Sequence, residues 1–201
     1  MLKDILDRFN CDKSAHCYYK LYEKDFKDIR LKNLNILEVG IWKGRSHLSW
    51  LKYFPNSSIY GIDIFTRIAP KEVPVLSHDR MHWIKQDSRS ISLFADIQKK
   101  WGDIKFDVII DDGLHTPIAN MYTFLNLHVF LKGVYYIEDA WPLHLMSPEE
   151  LEHPWIKKKA KDYTQAHMYE FLDLIRQFKV TEFDLRKDSG LPDSYIFKVE
   201  K

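Results

Sequence analysis

The stretch ILEVGIWKGRS, residues 36–46, decides the fold. Its apolar start is typical of a buried strand, Gly40 and Gly44 indicate a turn, and the residues that follow repeat apolar side chains at helical spacing. Glycine lets a backbone approach a ligand closely, and a helix N-terminus supplies free N–H groups with partial positive charge. Because ligands bind at the carboxyl ends of the strands in open α/β sheets, this unit predicts a binding site.

Strands and helical segments alternate along the rest of the chain. Strands are predicted for the short runs SSIYGIDIF, HWIKQDS, KFDVIIDD and KGVYYIED. The alternation predicts a parallel sheet covered on both faces, whereas the C-terminal runs KVTEFDLRK and SYIFKVE are close enough to require antiparallel pairing. We therefore predict an α/β fold, a Rossmann-like doubly wound sheet that is mostly parallel and ends in an antiparallel hairpin.

The length of 201 residues fits one domain, residues 1–201. We divide it into an N-terminal helical cap (1–33), a core (34–140), a connecting segment (141–165), and a C-terminal helix with a β-hairpin (166–201).

The charge balance and the hydropathy of the sequence limit the classes of partner that this chain is expected to bind. The chain has 30 basic and 29 acidic residues, whereas nucleic-acid binders usually carry a basic excess, so no nucleic-acid partner is expected. Neither a signal peptide nor a membrane-spanning run is present in the sequence, so no membrane partner is expected and the cytoplasm is the expected location. Cys11 and Cys17 are expected to be free thiols.

Three acids lie at or near the ends of predicted strands, where a nucleotide-binding site is expected. Asp63 ends the second predicted strand, where a carboxylate can accept from both hydroxyls of a ribose. Asp87 ends the third strand and could accept from an adenine amino group, and Glu38 lies just before the glycine turn. The alternative is a strand–turn–helix unit whose glycines serve packing only.

The glycine spacing differs from that of dinucleotide sites, which have G-x-G-x-x-G. Here an acid precedes G-x-x-x-G, which resembles the E-x-G-x-x-x-G motif of class I methyltransferases, and the C-terminal hairpin is what distinguishes their sheet from a plain dinucleotide-binding one. The resemblance implies S-adenosylmethionine as the cofactor. The candidate cofactor-binding residues are Glu38, Gly40, Gly44, Ser46, Asp63, Ile64, Asp87, Ser88 and Asp111.

A second group of acids follows the fourth and fifth strands, in IIDDGLH and YYIEDAW. In a doubly wound sheet these strand ends are neighbours, so Asp112, Glu138 and Asp139 are expected to converge. Carboxylates in one cleft repel one another, and a divalent cation relieves the repulsion. Oxygen ligands favour Mg²⁺, Mn²⁺ or Ca²⁺ over zinc, and a vicinal diol could chelate such an ion. The alternative is that these acids cap helices or face solvent.

His115 lies three residues after Asp112, on the turn that leaves the fourth strand. A histidine there can act as a general base on a substrate hydroxyl. The alternative is a surface histidine in a loop.

The two acidic segments together, DDG-x-H followed by IED, resemble the metal-dependent sugar O-methyltransferases of the macrolide mycinamicin type and the cephalosporin-tailoring type. The resemblance implies that Asp112, Glu138 and Asp139 bind Mg²⁺, and that His115 and Asp112 are catalytic. The stretch CDKSAHCYYKLYEKDF resembles a segment that closes the cofactor site in that family. Without the resemblance, it would be an amphipathic helix packing on the sheet. Its matching residues are Asp12, Lys13, His16, Tyr18 and Tyr22.

The segment 141–165 follows the fifth strand, where an acceptor lid is expected. Trp141, His144 and Trp155 could stack on or bond to a carbohydrate, or pack as part of a connecting loop. Residues 66–80 are the other segment that could border the acceptor site.

The leading hypothesis is a Mg²⁺-dependent O-methyltransferase that uses S-adenosylmethionine to methylate a hydroxyl of a sugar diol in a glycan or glycoside. The expected partner is therefore a small molecule or glycan with vicinal hydroxyls. The alternatives are a catechol or phenol O-methyltransferase, a nicotinamide-dependent oxidoreductase, and a non-catalytic cofactor-binding module. The missing third glycine and the acidic triad disfavour the oxidoreductase. A homo-oligomer is a further assembly that this sequence allows.

Overall fold

The computed structural model describes residues 1–158 and 161–201, and its centre is a seven-stranded sheet. In spatial order the strands are β3, β2, β1, β4, β5, β7 and β6. The strand bounds are β1 Asn35–Val39, β2 Ser58–Asp63, β3 Met81–Lys85, β4 Phe106–Asp111, β5 Leu131–Ile137, β6 Lys179–Asp184 and β7 Tyr195–Glu200.

The first five strands pair in parallel, whereas β7 pairs antiparallel with both β5 and β6. β1 lies between β2 and β4, so the strand order reverses at this point and a crevice opens beyond the carboxyl ends of these strands. The predicted fold class, a mostly parallel doubly wound sheet with a C-terminal antiparallel hairpin, is confirmed.

Nine α-helices are described in residues 1–158 and 161–201. Their bounds are α1 Leu2–Arg8, α2 Tyr19–Phe26, α3 Arg45–Tyr53, α4 Leu93–Trp101, α5 Pro117–Leu127, α6 Pro148–Leu151, α7 Pro154–Lys158, α8 Gln165–Ile175 and α9 Arg186–Ser189. The predicted N-terminal cap thus contains two helices, with a 3-10 turn at Asp12–Ser14 between them. No helix in the described part of the chain has the length and apolar character needed to span a membrane.

Helices cover both faces of the sheet. Successive strand residues point to opposite faces, so Ile109 packs in the layer with α4, α5 and α8, whereas Ile110 packs in the layer with α1, α2 and α3. In the second layer the Tyr22 ring meets Trp50 edge-on and stacks on Phe26. Tyr22 also meets Tyr136 of β5 edge-on, so this aromatic packing attaches α2 to the sheet.

The segment 141–165 contains the short helices α6 and α7, and residues 159–160 lie outside the described part. Trp141 is buried and meets the Tyr163 ring edge-on, and His144 Nε2 lies 3.1 Å from Glu182 Oε2. These two side chains therefore pack within the protein, as in the connecting-loop interpretation. Trp155 is 50% exposed.

Candidate active site

The turn after β1 depends on two glycines with positive φ. Gly40 has φ +92°, and a Cβ atom there would lie 2.1 Å from the carbonyl oxygen of Asp112. Gly44 has φ +71° and precedes α3, and a Cβ atom there would lie 2.4 Å from Val75 Cγ1. Glycine is therefore required because the backbone of this turn packs directly against the turn after β4 and against the 3-10 turn containing Val75.

Asp63, at the end of β2, fixes the glycine turn. Its Oδ2 accepts from the backbone N–H groups of Ile41 at 2.7 Å and Trp42 at 2.9 Å. Its Oδ1 accepts from the N–H group of Phe65 at 2.5 Å. A carboxylate has about four acceptor sites, so one remains for a ligand.

A continuous cavity of about 490 Å³ lies over the strand ends. It runs from the Gly40 turn, past the end of β2, to the turn that follows β4. Nine predicted site residues line it: Gly40, Ser46, Asp63, Ile64, Asp87, Ser88, Asp112, His115 and Asp139. The described lining does not include four others: Glu38, Gly44, Asp111 and Glu138.

Asp87 and Ser88 form the cavity wall after β3. The Arg89 guanidinium donates to Asp87 through Nε at 2.9 Å and Nη2 at 2.7 Å, and these hydrogen bonds lower the pKa of the Asp87 carboxyl. The hydroxyl of Ser88 lies 2.8 Å from Thr123 Oγ1. The wall is thus ordered by contacts within the protein, and Arg89 adds a positive charge to it.

Glu38 is fully buried beneath the turn. Its Oε2 accepts from the Ser46 hydroxyl at 2.7 Å and from Trp50 Nε1 at 3.2 Å. Both donors belong to α3, so this carboxylate attaches the helix to β1. In this arrangement Glu38 supports the glycine turn, which lies between β1 and α3.

Lys13 occupies the centre of the acids at the strand ends. Its ammonium is 2.6 Å from Asp112 Oδ2 and 3.0 Å from Glu38 Oε1, and it also donates to Glu138 Oε2. Burial alone lowers the pKa of Lys13, but Asp112, Glu138 and Glu38 raise it well above its ordinary value. The site therefore contains a permanent cation. The only signal for Lys13 in the sequence is its place in the stretch that resembles the family's N-terminal segment.

Asp112, His115 and Asp139 form a group that could hold a metal ion, because one ligand atom from each lies within 4.8 Å of the others. His115 Nε2 is 3.6 Å from Asp112 Oδ1 and 3.9 Å from Asp139 Oδ2. His115 and Asp139 both have positive φ, at 59° and 50°. Such backbone conformations are costly for residues other than glycine and are often found at functional sites. Burial raises the pKa of Asp139.

Glu138 meets Asp112 at Lys13 and not at His115. Its carboxylate accepts from Lys13 and from the Tyr22 hydroxyl, and burial raises its pKa. The structure thus brings Asp112 and Asp139 together with His115, and it joins Glu138 to the N-terminal segment.

Asp111 is buried beside this group. Its Oδ2 accepts from Asn120 Nδ2 at 3.1 Å, and burial raises its pKa to about 6. It lies outside the described cavity lining, and its bond to Asn120 connects the end of β4 to α5, which follows the turn containing His115.

The N-terminal segment, residues 12–22, contacts all the acids predicted to bind metal. Besides the contacts of Lys13, the Tyr18 hydroxyl donates to Asp139 Oδ1 at 2.5 Å, and Tyr22 donates to Glu138. His16 Nδ1 lies 2.9 Å from the Ser194 hydroxyl. In the sequence, this segment was recognised only by its resemblance to a family motif. In the structure, Lys13, Tyr18 and Tyr22 bond to the acids at the strand ends.

Comparison with characterised proteins gives a consistent result, although no protein-family model matches the chain. It is 30% identical over 151 residues to mycinamicin VI 2''-O-methyltransferase of Micromonospora griseorubida, covering 70% of this chain and 36% of that protein. It is 31% identical over 135 residues to 8-demethyl-8-(2-methoxy-alpha-L-rhamnosyl)-tetracenomycin-C 3'-O-methyltransferase of Streptomyces olivaceus, covering 63% of this chain and 33% of that protein. The chain thus spans about a third of the length of these relatives.

Among solved structures, the chain matches MycE methyltransferase in complex with Mg, SAH and mycinamycin VI. The TM-score is 0.69 at 21% identity, and the match covers 100% of this chain and 54% of that chain. A putative caffeoyl-CoA O-methyltransferase from Staphylococcus aureus matches with a TM-score of 0.61 at 13% identity, covering 92% of this chain and 83% of that chain.

The fold is that of the class I methyltransferases. Within this class, the chain is related in sequence to the O-methyltransferases of macrolide and rhamnosyl-tetracenomycin sugars, which confirms the resemblance drawn from the two acidic segments.

Proposed function

We propose that this chain transfers the methyl group of S-adenosylmethionine to a hydroxyl group of a sugar, in a glycan or a glycoside. The observation that carries this proposal is the continuity of the cavity, which joins the Gly40 turn to Asp112, His115 and Asp139. Its volume of about 490 Å³ lies in the range of small-molecule sites. The sugar O-methyltransferases named above support the same class of acceptor.

In this proposal the Gly40 turn and the N-terminus of α3 receive the amino-acid end of the cofactor, because free N–H groups suit a carboxylate. The remaining acceptor site of Asp63 takes a ribose hydroxyl, and Ile64, Asp87 and Ser88 surround the adenine. Glu38, Gly44 and Asp111 support this surface from outside the cavity lining.

We propose a divalent cation, Mg²⁺ or alternatively Mn²⁺ or Ca²⁺, at Asp112 and Asp139, whose carboxylate oxygens suit such ions. A bound ion would lower the pKa of a coordinated hydroxyl. Glu138, the third predicted ligand, accepts from Lys13 and Tyr22 and lies outside the described cavity lining. Asp112 and Asp139 line the cavity and each has an oxygen that neither Lys13 nor Tyr18 holds, so they are the first proposed ligands and Glu138 the third.

His115 is the proposed general base. Its Nε2 faces the cavity between the two carboxylates, which would stabilise the imidazolium. The sugar oxygen attacks the sulfonium methyl, the S–CH₃ bond breaks as the O–CH₃ bond forms, and Nε2 takes the hydroxyl proton. The products are the methylated sugar and S-adenosylhomocysteine.

Titration calorimetry with S-adenosylmethionine and S-adenosylhomocysteine, with and without Mg²⁺, tests the proposal. Wild type is compared with Asp112→Ala and with Asp103→Ala, an exposed acid just before β4 at the opposite end of the sheet. We expect cofactor binding in all three proteins and loss of Mg²⁺ binding in Asp112→Ala alone. Absence of cofactor binding in wild type would contradict the methyltransferase proposal.

An acceptor screen separates the sugar from the catechol alternative. Glycosides with vicinal hydroxyls and simple catechols are incubated with labelled S-adenosylmethionine. Phenols are more acidic than sugar hydroxyls and depend less on a base. Methylation of catechols alone, with little loss in His115→Ala, would assign the chain to the catechol class, and cofactor binding without any transfer would favour a non-catalytic module.

A further inference from the structure

The carboxylates of Asp112 and Asp139, which line the cavity, make similar contacts. Asp112 Oδ2 is 2.6 Å from Lys13 Nζ, whereas its Oδ1 is 3.6 Å from His115 Nε2. Asp139 Oδ1 accepts from the Tyr18 hydroxyl at 2.5 Å, whereas its Oδ2 is 3.9 Å from the same nitrogen. Each carboxylate therefore has one oxygen held by the N-terminal segment and the other turned toward His115.

The two holding residues are firmly placed. Lys13 and Tyr18 are each 1% exposed, so neither polar group has a ready alternative in water. Tyr18 is joined to Asp139 twice, since its oxygen also accepts from the Asp139 backbone N–H at 3.2 Å. A buried polar group without a partner is costly, so these contacts persist.

We propose that Lys13 and Tyr18 are positioning residues for a divalent cation at Asp112 and Asp139. This inference rests on the metal site of the proposed function. Each residue fixes one carboxylate oxygen, which leaves the other directed toward the ion. Hydrogen-bond partners of metal ligands orient those ligands, and their removal typically lowers metal affinity about 10–100-fold.

The arrangement has a consequence for the N-terminal segment. Lys13 and Tyr18 lie 99 and 121 residues before the acids that they hold. An ion that bound only when this segment is docked would stabilise the docked segment.

The test is Mn²⁺ binding to the full chain, measured by the electron paramagnetic resonance signal of free Mn²⁺, with Mg²⁺ calorimetry in parallel. Tyr18→Phe removes one hydroxyl and keeps the ring, and Tyr19→Phe is the matched control in the next position. We expect affinity to fall about 10–100-fold in Tyr18→Phe and to stay within about twofold of wild type in Tyr19→Phe. Circular dichroism checks that both variants are folded.

Lys13→Arg is the second variant, because it keeps the charge but changes the donor geometry. A purely electrostatic role for Lys13 predicts unchanged metal affinity, whereas positioning predicts a loss of about tenfold or more. If wild type binds Mn²⁺ and both Tyr18→Phe and Lys13→Arg bind it equally well, the positioning inference is wrong and the metal site stands. If wild type binds neither ion, the metal site itself is wrong, and the inference falls with it.

Discussion

Lys13 Nζ lies 2.6 Å from Asp112 Oδ2, although 99 residues separate the two in the chain. Glu38 and Glu138 complete the set of carboxylates around this ammonium. One buried cation thus connects the ends of β1, β4 and β5 where the cavity opens. The stability of the fold and the geometry of the candidate site therefore depend on the same ion cluster.

Lys13→Met should destabilise the protein by about 3–5 kcal/mol, because it leaves buried carboxylates without their cation. Urea unfolding at pH 7.5 measures this change. Lys20→Met is the matched control, because Lys20 is 48% exposed and pairs only at the surface with Asp188, so little change is expected. Equal stability of Lys13→Met and wild type would show that the acids do not need this cation.

The sequence was sufficient to predict the sheet, because nearly continuous apolar strands separated by helical segments leave few other arrangements. It also predicted the glycine turn and the acids at the strand ends. The pairing of Lys13 was not predictable in this way. A lysine in an amphipathic segment has the same local pattern whether it faces water or three carboxylates on distant strands.

The acidic pair after β5 shows a second limit. That Glu138 and Asp139 bind one ion stays a prediction. The sequence did not reveal that the two side chains have different protein partners, because consecutive residues at a strand end tend to point to opposite sides. In the structure Glu138 points to Lys13, and Asp139 points to the cavity. Likewise, the burial of Trp141 and the contact of His144 with Glu182 depend on tertiary packing that an aromatic-rich segment alone does not reveal.

Gly40→Ala should abolish cofactor binding. The added Cβ would lie 2.1 Å from the Asp112 carbonyl oxygen, so the turns after β1 and β4 must separate. The positive φ alone costs about 1–3 kcal/mol for alanine, and the clash adds to this cost. Calorimetry with S-adenosylhomocysteine and thermal unfolding measure the two effects.

Gly190→Ala is the control for that substitution. Gly190 also has a positive φ, of 74°, but nothing lies within 4 Å of an added Cβ. It should cost about 1–2 kcal/mol and leave cofactor binding unchanged. If Gly40→Ala and Gly190→Ala lost cofactor binding to a similar extent, the contact between the Gly40 backbone and the Asp112 carbonyl would not explain the loss.

Asp111→Asn should stabilise the protein at pH 7–8 and have little effect at pH 4. Burial raises the pKa of Asp111 from 3.8 to about 6, so between these values the folded protein binds a proton that the unfolded chain has released. Stability from this group is therefore present below pH 4 and lost as the pH rises through about 6. A shift of this size corresponds to about 3 kcal/mol.

Urea unfolding of wild type and Asp111→Asn across pH 4–8 measures the difference. Asparagine keeps an oxygen that can accept from Asn120, which limits other effects of the substitution. A difference in stability that did not grow with pH would contradict the raised pKa.

His115→Ala should lower kcat for sugar methylation about 10²–10⁴-fold, because the attacking hydroxyl loses its proton acceptor. The matched control is His167→Ala in α8, outside the cavity lining, which should retain full activity. Binding of S-adenosylhomocysteine should be unchanged in both variants. Mg²⁺ calorimetry then separates the two roles that the geometry allows for His115. Retained Mg²⁺ affinity with lost turnover supports a base, whereas loss of Mg²⁺ binding would make His115 a ligand beside Asp112 and Asp139, and the proton would then have to leave by another group.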